Sequence, residues 1–148
     1  MARHGDYRRV VRLSIDPSTS PADYEFVQRI RVRFAETDAM GIVHHSRYLP
    51  YLEEARVAYL RHLGHPYQEN QAAGIDFAVL EAAVQYRSPL HFDDEVDVHL
   101  VLAESARATF QIAYLLTVGG TVRSTAVTVH GAIDTGVRAA REVLESFR

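Results

Sequence analysis

The sequence predicts an α+β domain in which a five-stranded antiparallel sheet wraps around one long helix. Three observations carry that reading. Between Ser46 and Gly64 apolar residues recur mostly every third or fourth position, the period of one helix face. Beyond residue 76 four strand-like segments follow, and Val96–Leu102 and Phe110–Leu116 among them alternate with the period of a half-buried strand. Two of those segments are joined by Gly119-Gly120, and without side chains both central residues of a two-residue hairpin can take positive φ.

The bulk numbers narrow the functional classes. At 148 residues the chain fits one domain, a size that can bury roughly two-thirds of its unfolded surface. It is 47% apolar and 24% charged, as expected of a soluble globular protein. A net charge of −3 supplies no basic field for nucleic acid or an anionic membrane. With no cysteine, disulfides, thiol catalysis and cysteine-based metal sites are excluded. The N-terminal run MARHGDYRRVVRLS lacks a signal peptide's apolar core, and no apolar run is long enough to span a bilayer. No membrane insertion and a cytoplasmic address are the expectations.

Taken in order, residues 6–15 could form a short strand, which the turn-forming PSTSPA at 17–22 then breaks. Residues 1–24 therefore read as an N-terminal extension of unassigned structure, and 25–148 as a single domain. A strand is expected from Phe26 to Phe34, with Ile30, Val32 and Phe34 on one face and Arg29, Arg31 and Arg33 on the other. Such a cationic face is either solvated or turned toward a ligand's phosphates. The helix follows, with Ser46 as N-cap and Pro50 near enough to its start to be tolerated. Leu49, Leu52, Ala55, Tyr59, Leu60 and Leu63 form its stripe, Glu53 and Arg56 sit on its polar side, and Gly64 with Pro66 ends it. After a loop at 65–75, strands are expected at Phe77–Tyr86, Val96–Leu102, Phe110–Leu116 and Thr121–Ile133, then a short polar helix over 137–148. One helix leaves apolar sheet and two strand edges uncovered, so two chains are expected to pair.

The candidate chemistry lies in the loop Glu36-Thr37-Asp38-Ala39-Met40-Gly41 and the helix start behind it. Asp38 reads two ways: it caps its own turn, or it faces a pocket, since Gly41 permits close backbone approach and a helix begins soon after. Glu36 reads as a solvated loop charge and is given no role. His45 either fills the loop–helix junction or turns its backbone N–H to a pocket, where helix-start amides stabilise developing negative charge. His44 and His45 are adjacent and point apart, and His62 and His65 straddle Gly64, so neither pair makes a metal site. Glu54 is a second carboxylate that could reach the pocket from the helix. No serine nucleophile elbow, P-loop or dinucleotide glycine fingerprint is present.

The run FAETDAMGIVHHSRYLPYLEEAR resembles the signature of hotdog-fold acyl-CoA thioesterases of the 4-hydroxybenzoyl-CoA thioesterase type, including the Tol-Pal-associated branch. Looser agreement, through Tyr86-Arg-Ser-Pro-Leu90 and Asp93-Asp94, extends the likeness over 25–135. The resemblance implies that Asp38 is the catalytic carboxylate, as nucleophile or as general base for water. Gly41 would be the glycine of the tight loop, and His45 the residue whose backbone N–H polarises the thioester oxygen. It further implies a hotdog fold, and a homodimer or homotetramer with active sites between subunits. Thioester hydrolysis needs neither metal nor redox cofactor, and none is expected. Tyr48, Glu54, Arg87 and Arg107 are the candidates for substrate contact, the arginines through CoA phosphates. Two other readings stand beside this one: a hotdog protein that binds acyl-CoA or an acyl carrier without turnover, and a hotdog thioesterase acting on a carrier-protein-bound chain.

Overall fold

The computed structural model describes residues 13–64, 76–106 and 109–133. Among these residues the strands are β1 (Phe26–Arg31), β2 (Asp76–Tyr86), β3 (Glu95–Ser105), β4 (Thr109–Val118) and β5 (Thr121–Ile133), with the α-helix α1 (Tyr48–His62) between β1 and β2. The strands form a single sheet in the order β1-β3-β4-β5-β2, every pair antiparallel. This is the expected hotdog arrangement of a long helix against a five-stranded antiparallel sheet. Register shifts at Val79/Glu81, Leu102/Glu104 and Leu116/Thr117 mark bulge-type irregularities, which bend strands and increase their twist. Of the strand expected over 6–15, residues 13–15 are described and are not in a strand; residues 6–12, the loop at 65–75, Arg107 and the expected helix at 137–148 lie outside the described residues.

The helix packs by its periodicity. Tyr48, Tyr51, Leu52, Ala55 and Tyr59 share one face and are each no more than 3% exposed. They meet Val96, Val98 and Leu100 of β3 and Ile112, Tyr114 and Leu116 of β4 in one core. Leu49, expected in the stripe, is 50% exposed, because one residue turns a helix by about 100° and carries it off the face that Tyr48 occupies. Arg56, expected on the polar side, reaches inward and donates to the Tyr114 hydroxyl at 3.4 Å. Gly64 ends the helix at φ +85°, and Gly119 and Gly120 turn the β4–β5 hairpin at +56° and +81°.

Two boundaries differ from the sequence reading. β1 stops at Arg31, and Phe34 opens a 3₁₀ turn, 76% exposed, with its ring edge-on to Phe92 at 5.7 Å. The helix start is also built differently. Ser46 is not its cap; a 3₁₀ turn at His45–Arg47 intervenes, led by His44, whose Nδ1 accepts from the Ser46 N–H at 3.2 Å.

On the face away from α1, Arg29 pairs with Asp97 at 2.9 Å, and Arg31 pairs with Asp93 at 3.0 Å and with Glu95. Arg29 and Arg31 are thus engaged across the β1–β3 pair, while Arg33, beyond the strand, reaches Glu36 at 3.4 Å. The segment entering β1 lies over the same side of the sheet. Leu13 N–H donates to Glu81 and Ser14 N–H to Gln111, both at 3.2 Å, the Ser14 hydroxyl donates to Glu104 at 2.8 Å, and the Tyr24 ring lies 6.2 Å from His99. His99, which the alternation put on a polar face, is 8% exposed and bonded to Thr117 at 3.0 Å. Among the described residues no helix is long and apolar enough to cross a membrane.

Candidate active site

The loop from β1 to α1 is a narrow two-armed turn. Glu36 O accepts the His44 N–H at 3.0 Å, Thr37 and Val43 pair as an antiparallel bridge, and the Asp38 N–H donates to Ile42 O at 2.8 Å. At the tip, Asp38 O accepts the Gly41 N–H at 3.0 Å and Gly41 takes φ +78°. No atom stands within 4 Å of a Cβ placed on Gly41, so the constraint there is backbone conformation rather than room.

The Asp38 side chain takes part in this turn. Its Oδ1 accepts the Met40 N–H at 2.8 Å and the Ile42 N–H at 3.4 Å, the bonding of an aspartate that caps its own loop. Oδ2 has no partner among the described residues. Both readings of Asp38 therefore have a physical counterpart: one oxygen serves the loop, and the residue also borders a cleft.

That cleft, about 410 Å³, is lined by Asp38, Ile42, Val43, His44, His45, Tyr48, Tyr86, Arg87, Ser88 and Pro89. It collects Asp38, His45 and Tyr48 from the loop–helix stretch 38–48 and Arg87 from just past the end of β2. His45 is the first residue of the 3₁₀ turn that runs straight into α1, and its N–H has no acceptor among the described residues. Tyr48 follows; its ring meets Tyr86 edge-on at 4.8 Å, and burial pushes its hydroxyl pKa up. The wall from Arg87 to Pro89 hangs on Arg123. The Arg123 carbonyl accepts the Arg87 and Ser88 N–H groups at 2.9 Å, and its guanidinium donates to Pro89 O at 2.6 Å.

Other candidates lie elsewhere. Gly41 shapes the loop without lining the cleft. Glu54 is exposed on another side of α1 and borders a separate groove with Gln28, Pro50, Glu53, Val57, Ala58 and Arg61. Arg107 lies outside the described residues. Among the described residues no group of three or more acidic or histidine side chains could hold a metal ion.

Glu36 overturns its sequence reading. It is 7% exposed rather than solvated, with Oε1 accepting the Arg33 N–H at 2.8 Å and the Tyr51 hydroxyl at 2.9 Å. Burial alone would raise its pKa, but these donors and the Arg33 guanidinium hold it below the ordinary carboxylate value. Sequence reasoning also missed Arg123 and Tyr86 as parts of the cleft. The signal for Tyr86 was present in Tyr86-Arg-Ser-Pro-Leu90; for Arg123, one cation within a strand, there was none.

Residues 32–148 match the family described as the thioesterase-like superfamily. A protein of Aquifex aeolicus, whose name marks it provisionally as an esterase, is 43% identical over 125 residues, 83% of this chain and 98% of that protein. An acyl-CoA thioester hydrolase of Escherichia coli is 35% identical over 69 residues, 47% of this chain and 52% of its own. The crystal structure of a DHNA-CoA thioesterase from Staphylococcus aureus superposes with a TM-score of 0.76 at 25% identity, covering 82% of this chain and 87% of that one.

Proposed function

The chain belongs to the thioesterase-like superfamily, and from that premise we propose that it hydrolyses an acyl-CoA thioester to a free acid and CoA. The observation that carries the reading is the shared cleft, which Asp38 and the turn opening α1 both line. A thioester carbonyl seated there would place its oxygen toward the His45 amide and the positive end of the helix. Asp38 then acts at the carbonyl carbon in one of two ways: it takes a proton from an attacking water, or it attacks directly to give an anhydride that water opens. In both, the thiolate of CoA leaves.

The finer placement, beside thioesterases of the 4-hydroxybenzoyl-CoA and Tol-Pal-associated type, is part of the same proposal and is supported by the run from Phe34 to Arg56. So is assembly into a homodimer or homotetramer. β2 ends the sheet and leaves Val79, Leu80 and Tyr86 between 41% and 54% exposed, and Tyr86 also lines the cleft. Pairing along that edge would bring a second chain to the site.

A panel of acyl-CoA thioesters with a thiol reagent tests the activity. Release of CoA from at least one is the expected result; release from none overturns the proposal. One observation favours a second reading, a binding protein without turnover: Asp38 Oδ1 is already engaged by its own loop. Acyl-CoA binding with no CoA release would select it. Turnover of a carrier-protein thioester alone would move the substrate from CoA to a carrier.

A further inference from the structure

Glu36 touches three pieces of chain that have to agree if the cleft is to keep its shape. Its carboxylate accepts from the Arg33 N–H at the end of the strand arm and from the Tyr51 hydroxyl in the first turns of α1. Its carbonyl accepts from His44 on the return arm, one residue before the amide of His45. Between these points the loop is tied by the Thr37–Val43 bridge and by the Asp38 N–H bond to Ile42 O, so Asp38 moves with Glu36. Tyr51 is 2% exposed and its ring is fixed in the core. A buried carboxylate is costly to desolvate and is tolerated only where donors satisfy it, and an apolar side chain would serve simple packing as well.

We infer that Glu36 is a positioning residue: by clamping the loop to Tyr51 it sets the separation between Asp38 and the amides that open α1. What it positions rests on the thioesterase reading above; the clamp itself does not. Displacing a reacting group by about 1 Å can lower turnover by roughly a hundredfold, so a small loosening is expected to show in rate before it shows in binding.

The test uses the full-length protein with Tyr51→Phe, Glu36→Ala and Glu36→Gln. Tyr51→Phe removes one hydroxyl and keeps the packed ring, so it remains informative if Glu36→Ala fails to fold. Glu36→Gln keeps an oxygen that can accept from both donors and serves as the rescue. Two quantities are read. The first is amide hydrogen exchange at Asp38, Gly41 and His44 relative to Leu115 and Leu116 of β4. The second is kcat and KM on an acyl-CoA that the unmodified protein hydrolyses.

Tyr51→Phe and Glu36→Ala are expected to speed exchange in the loop alone, by about tenfold. They should also lower kcat by about tenfold or more while KM stays within about twofold, and Glu36→Gln should restore both to within about threefold. Unchanged loop exchange in the folded variants, or faster exchange with kcat intact, overturns the inference. If the unmodified protein hydrolyses no acyl-CoA, the activity proposal fails separately. Exchange then decides the clamp alone: acceleration supports it and no change overturns it.

Discussion

Two of the places where helix α1 meets polar side chains differ in what burial does to charge. Near its start, the Tyr51 hydroxyl donates to Glu36, whose carboxylate is further held by the Arg33 N–H and guanidinium. Further along, Arg56 donates to the Tyr114 hydroxyl at 3.4 Å, Tyr114 lies 2.6 Å from the Thr128 hydroxyl, and Thr128 lies 2.7 Å from His130 Nε2. At the first place the donors outweigh desolvation and the group stays charged. At the second, burial and then the Arg56 cation push the His130 pKa down to about 3, so the ring is neutral in the fold. His130 stacks on Phe110 at 4.9 Å and behaves as core. A buried titratable group is therefore not by itself a sign of chemistry; what separates the two regions is that only the first is tied to a loop bordering a cleft.

The largest effect that could break this contrast is on rate. Asp38→Asn is expected to lower kcat by about 10²–10⁴-fold with an unchanged melting temperature. The Asn side-chain oxygen can still accept the Met40 N–H that Asp38 accepts now, at 2.8 Å. Undiminished turnover, measured by thiol release, would remove Asp38 from the mechanism.

The next effect is on stability and belongs to the other region. His130 titrates at about 3 in the folded chain, whereas the unfolded chain takes up a proton below about pH 6.5. Its contribution is therefore present above that value and is lost as pH falls from about 6.5 toward about 3, by up to ~1.4 kcal/mol per pH unit. His99, also held below the ordinary value by burial, adds a slope of the same sign. Urea unfolding across pH 7 to about 4 should show a shallower slope for His130→Gln than for the unmodified protein; equal slopes would show that His130 is charged in the fold.

The smallest expected effect concerns the arginine row. Arg29 and Arg31 lie more than half exposed in ion pairs with Asp93, Glu95 and Asp97, and exposed pairs contribute little. Arg29→Ala and Arg31→Ala are expected to change neither melting temperature nor turnover measurably. A rise of several-fold in KM for an acyl-CoA would instead place this face against CoA phosphates.

Much of the fold was legible because its signals are local. Alternation located β3 and β4, a run rich in Val, Ala and aromatics β2, Gly119-Gly120 the turn into β5, and Gly64 the helix stop. What escaped depends on partners distant in sequence. Glu36 looks solvated until Tyr51, fifteen positions on, is brought over it. Nothing local in Thr121–Ile133 sets His130 and Thr128 apart, yet their side of β5 faces the helix and both are buried. In the site, Asp38, Gly41 and His45 stood in one contiguous motif and could be picked out together. Arg87 was guessed from its loop, and the Arg123 that shapes the wall beside it is met only through strand pairing.

The bonds that Leu13 and Ser14 make to Glu81, Glu104 and Gln111 join positions 68 to 97 residues apart in the chain. Contacts of such high order have no local nucleus, and closing them early would sacrifice conformational freedom before any sheet existed to receive them. The leading segment is therefore expected to be set down late, after β2, β3 and β4 align, and the Ser14 amide to exchange ahead of those of β4.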